Sequence, residues 1–170
     1  MDSLSVADKA VAAHVMNRIF IYMMLAALAL SEVHAFAQQP TPVEKVIMKY
    51  ENVKGSQEVS ASGAKMTIAR IMIRKTPVGL IADDVDEVYV LRMGEASQPD
   101  RTDFLDDLRI ALKSYVYSGR YDSDKGLVDV YILPSDDGYT DELVIYNPEL
   151  YTVNSLRGHI PMSQLRALEK

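Results

Sequence analysis

Hydrophobic positions change their spacing several times along this chain, and each change marks an element. Residues 19–30 show no period, only an uncharged run, "IFIYMMLAALAL". From Val43 the spacing turns helical, with Val43, Val46, Ile47 and Tyr50 at i, i+3, i+4 and i+7. Thr41 stands before them as N-cap, with Pro42 at N1 and Glu44 at N3 completing a capping box. Gly55 is a helix stop, and residues 57–61 form a short strand. Residues 63–79, "GAKMTIARIMIRKTPVG", admit two patterns. Ile68, Ile71, Met72 and Lys75 fit a helical face, while Met66, Ile68 and Arg70 alternate. Length and the Ala and Met content predict a helix ending before Pro77.

Residues 85–93, "VDEVYVLRM", are rich in Val, Tyr and Leu and predict a strand. Asp100 is the expected cap of the next helix, with Asp103 at N3. Phe104, Leu108, Ala111, Leu112 and Tyr115 line its apolar face. Acid in its first turns and Lys113 near its end complement the helix dipole. The punctuation then changes. "VYSGRY" leads into a turn at 122–126, and Val128, Val130 and Ile132 share a face of the following run. Asp137-Gly138 is a hairpin-type turn, followed by "ELVIY", then Asn147-Pro148, then "LYTVNSLRG". Pro161 opens a last helix. This order predicts an α+β fold: a mixed, largely antiparallel sheet with helices packed on one face, a C-terminal β-meander and a short terminal helix.

The early apolar run is too short for a transmembrane helix, which needs about 20 such residues, and Glu32 and His34 close it off. Arg18 precedes it and Ala35-Phe36-Ala37 follows it. Charge, a short apolar stretch and then small residues describe a secretory signal peptide, with Ala35 and Ala37 as the signal-peptidase recognition residues. Cleavage after Ala37 leaves Gln38 as the new N-terminus. A buried core helix or an uncleaved anchor would not require flanks in that order. Asp2 and Asp8 do not suit a positive n-region. Translation from Met16 is therefore expected, with residues 1–15 not translated, 16–37 as the signal and 38–170 as a single α+β domain.

The chain carries a formal net charge of −6. Losing residues 1–37 removes Lys9 and Arg18 with Asp2, Asp8 and Glu32, so the remainder stays acidic. An acidic chain without a basic run is a poor partner for nucleic acid and for anionic lipid. No cysteine occurs, which excludes disulfides, thiol catalysis and thiolate metal sites. It also excludes lipid attachment at the cleavage point. A periplasmic or secreted protein, not a lipoprotein and without stable membrane insertion after cleavage, is expected.

Three stretches carry a family resemblance: the opening "TPVEKVIMKY", the segment "GSQEVSASGAKM" and the ending "DELVIYNPELYTVNSLRGHIPMSQLRAL". Together they resemble domain of unknown function 4252 over most of residues 41–170. The resemblance implies secretion by a Gram-negative bacterium and a role in surface physiology, and it brings no catalytic residues. Glu142-Leu143-Val144 and Ser155-Leu156-Arg157-Gly158 read as its hairpin and turn features.

Few residues suggest chemistry. After cleavage His159 is the one histidine, next to Gly158, and zinc normally needs three or four protein ligands. "DSDKG" fails the calcium-loop template, because an Asp122 start puts Leu127 at the glycine position and Leu133 at the bidentate glutamate position. There is no G-x-S-x-G elbow and no phosphate-binding glycine pattern. No catalytic residue, metal or cofactor is expected. Tyrosine is enriched: Tyr115, Tyr117 and Tyr121 share parity on one run, and Tyr131 and Tyr139 flank the next hairpin. Tyrosine favours half-buried strands for structural reasons, and it also makes aromatic binding surfaces. Tyr117, Tyr121, Tyr131 and Tyr139 are the candidate surface. The expected function is a non-enzymatic envelope module binding a protein or glycan. The alternatives are a carboxylate-dependent hydrolase of envelope polymers and a structural or stress-response protein without a ligand.

Overall fold

The computed structural model describes residues 39–76, 78–123, 126–135 and 137–167. The signal segment, Ala35 and Ala37 included, lies outside them. Helix α1 (Pro42–Tyr50) begins with the predicted capping box: Thr41 N–H donates to Glu44 Oε2 at 2.9 Å, and Thr41 Oγ1 accepts from Glu44 N–H at 3.2 Å. Strand β1 (Gln57–Ser62), helix α2 (Met66–Ile73) and strand β2 (Val85–Arg92) follow. Helix α3 spans Gln98–Ala111, and its cap is Ser97, three residues before the expected Asp100. Ser97 Oγ accepts from Asp100 N–H at 3.3 Å and donates to the Asp100 carboxylate at 2.5 Å. Asp100 therefore occupies the first turn, where its charge faces the positive end of the dipole. Strands β3 (Val116–Ser123), β4 (Gly126–Pro134), β5 (Tyr139–Asn147) and β6 (Thr152–Pro161) and helix α4 (Met162–Ala167) complete the order among the described residues.

The six strands form one sheet in the order β1-β2-β6-β5-β4-β3, and every pairing is antiparallel. Strands β3 to β6 are the expected meander, with β3 at the outer edge. The α+β class and the short terminal helix are present as well. The helices are divided between the two faces. Successive strand residues point to opposite sides, so Leu91, Val144 and Val153 meet α1 and α3 through Val43, Ile47, Tyr50, Phe104 and Leu108. Val88, Val90, Leu143 and Leu156 look the other way, to Met66, Ala69 and Ile73 of α2, Ile81 of the 3-10 segment Gly79–Asp84, and Leu165 of α4. Each fully buried large side chain contributes about 1.5–3 kcal/mol over leaving it exposed. No helix among the described residues is long and apolar enough to cross a membrane.

Glu142-Leu143-Val144 and Ser155-Leu156-Arg157-Gly158 are strand interiors, not turns. They pair directly across β5 and β6: Glu142 with Arg157, Leu143 with Leu156, Val144 with Ser155. Gly158 lies so close to Asp84 O that a Cβ there would clash with backbone, which explains a glycine within a strand.

Candidate functional site

The outer hairpin, β3–β4, contains one irregularity. Tyr117 pairs with Tyr131 and Gly119 with Val130, so Ser118 is an extra residue with no partner, a β-bulge. The bulge resets the alternation of β3. Tyr117, opposite Tyr131, and Arg120, opposite Asp129, come to the α1/α3 side of the sheet. Without the bulge, residues three apart would point to opposite sides. Tyr121, opposite Val128, goes to the other face.

These four side chains form a connected group. The Arg120 guanidinium grips the Asp129 carboxylate with two hydrogen bonds, Nε to Oδ1 at 2.7 Å and Nη2 to Oδ2 at 2.8 Å. Tyr117 Oη donates to Asp129 Oδ1 at 3.2 Å. The rings of Tyr117 and Tyr131 meet edge to face, centroids 5.2 Å apart. Asp129 is buried, whereas Tyr117 is 51% exposed. Hydrogen bonding from Arg120 holds the Asp129 carboxyl below its usual range, and the same contact raises Arg120. Tyr117 is raised, first by desolvation and then by its bond to Asp129. The result is a half-exposed phenol held by an edge-to-face ring contact and at its hydroxyl, beside a neutralised ion pair. Chemically it can stack and hydrogen-bond.

A second polar group lies under α1. Glu44 and Glu142 are almost wholly buried, at 1% and 0% exposure. Arg157 Nη1 donates to both Glu44 oxygens, at 3.1 and 3.4 Å, and Nη2 to Gln39 O at 3.2 Å. Glu142 accepts from Ser155 Oγ at 2.6 Å and from the Tyr115 hydroxyl. Burial raises the Glu44 pKa; the Thr41 N–H and Arg157 oppose this, and Glu142 and Glu87 add to it. Burial and the nearby Glu142 push the Tyr115 phenol well above the usual tyrosine range. Burial first, then Glu87 and Glu44, raise Tyr89 to about 12. Both carboxylates are engaged by internal partners and turned away from solvent. This group fastens α1 to β5 and β6.

The structure thus unites only two of the four candidate tyrosines, Tyr117 and Tyr131. Tyr139 stands at the β4–β5 end, stacked on His159 with centroids 3.7 Å apart. His159 is on β6, exposed, with Nε2 3.9 Å from Asp137. Among the described residues no group of three or more His, Cys, Asp or Glu could hold a metal ion. Arg120 and Asp129 were missed because their partnership depends on hairpin register. The faint signal was opposite charges on the two strands of one predicted hairpin. No protein-family model, no curated protein and no solved structure matches the chain.

Proposed function

We propose that this chain is a non-enzymatic envelope protein, exported through residues 16–37, that binds a protein or glycan through its β3–β4 hairpin. One observation carries the reading: a bulge at Ser118 gathers exposed Tyr117 beside the Arg120–Asp129 pair. Bulges often re-aim a side chain at working sites. Tyrosine and arginine are also, with tryptophan, the residues enriched at the energetic centres of binding surfaces. The hydrolase alternative draws less support, since Glu44 and Glu142 are engaged internally and closed to solvent.

The test uses protein purified from cells expressing the full chain. N-terminal sequencing should begin at Gln38; a product retaining Met16 or Met1 contradicts export and cleavage. Immobilised on beads and exposed to an envelope extract, the wild type should retain a protein or glycan that Tyr117→Ser releases. Identical retention by both, or none by either, contradicts the hairpin as binding surface.

A further inference from the structure

We infer that the Tyr117–Arg120–Asp129–Tyr131 platform takes the apolar face of an uncharged pyranose ring. The inference rests on the binding-module reading and names its ligand class.

A pyranose has one face of C–H groups carrying slight positive charge, attracted to the negative face of an aromatic ring. Tyr117 offers a half-exposed aromatic ring that is already ordered: its ring packs edge to face with Tyr131, and its hydroxyl donates to Asp129. Ordering before binding lowers the entropy cost of association. Stacking fixes only the plane, so hydroxyl recognition must come from beside the ring. Arg120 supplies it. Of the five N–H donors on a guanidinium, two go to Asp129, and Arg120 is 53% exposed at its side chain.

Charge separates neutral from acidic sugars. The Arg120–Asp129 pair sums to zero, and the chain stays acidic after loss of residues 1–37. A uronate or phosphate would meet no uncompensated cation on the platform and a repulsive overall field. Backbone geometry separates sugar from peptide. An extended peptide could add to β3, the sheet edge. That mode needs an uninterrupted row of outward N–H and C=O groups, and the extra residue Ser118 breaks the row.

Affinity electrophoresis of protein purified from cells expressing the full chain tests this. Native gels carry dextran, hydroxyethylcellulose or galactomannan as neutral polymers, or alginate as polyuronate. At least one neutral gel should retard the wild type. Tyr117→Ala should weaken that retardation about tenfold in apparent Kd, and Tyr117→Phe should keep most of it. Leu80→Ser, an exposed change in the segment on the opposite face, should leave it intact. Retardation by alginate alone, by no polymer, or equally for wild type and Tyr117→Ala overturns the inference. A negative set of gels alongside Tyr117-dependent capture of an envelope protein rejects the sugar and leaves the binding module standing. Failure of both rejects both.

Discussion

Glu44 of α1 and Arg157 of β6, 113 residues apart in sequence, form a 3.1 Å ion pair at the buried seam between helix and sheet. Desolvation makes such a pair a weak source of net stability, but removing one partner strands the other charge. Arg157→Ala should destabilise the protein by about 3–5 kcal/mol in urea unfolding. Glu44→Gln keeps a capping-box side chain and leaves Arg157 its second carboxylate, Glu87 at 3.6 Å, so its loss should be clearly smaller. Equal losses would contradict this account of the seam.

The same pair sets a pH dependence. Burial raises the folded-state pKa of Glu44 above its ordinary value of 4.5. The folded protein therefore holds this proton more tightly than the unfolded chain. The resulting stability is fully present below pH 4.5 and is lost as pH rises through the raised folded value. Asp129 is lowered and runs the opposite way: its contribution is present above 3.8 and lost as pH falls through its folded value. Comparison with Glu44→Gln isolates the first effect. Urea midpoints from pH 4 to 8 should show wild type losing ground to the variant as pH rises; a gain would contradict the sign.

Phe104 is fully buried on α3 and meets Tyr50 of α1 edge to face, centroids 5.6 Å apart. Phe104→Ala should cost about 3–5 kcal/mol. Ile110, on the same helix but 62% exposed, should cost within about 0.5 kcal/mol as Ile110→Ala. Thermal unfolding of the two variants is the check.

The cap assignment is also testable. Ser97→Ala should remove about 1 kcal/mol. Asp100→Asn keeps a side chain that can accept from Ser97 and should cost about 0.3–1 kcal/mol through the dipole. A reversed order in chemical denaturation would return the cap to Asp100.

What the sequence made legible was local. The box Thr41–Glu44 and the stripe Val43, Val46, Ile47, Tyr50 lie within a few residues of one another, and α1 forms accordingly. The meander was legible because turn residues separate its strands. The order of elements predicts helices on one face; the structure covers both, because the apolar runs "VYVL" and "ELVIY" send buried side chains to either side of the sheet. Two things had no local trace. Glu44 and Arg157 meet only through the complete topology. The parity of Tyr117 and Tyr121 assumed an unbroken ladder, and an extra residue at Ser118 moves everything after it to the other face.

On the inference above, the bulge makes Tyr117, Arg120, Asp129 and Tyr131 one sugar-binding platform. Amide chemical shifts of isotope-labelled protein, titrated with cellohexaose and mannohexaose, test it most directly. Shifts should concentrate at residues 117–120 and 129–131 with at least one of the two sugars, while the amides of β1 stay still. Shifts centred on β1 or α2, or none with either sugar, would contradict it.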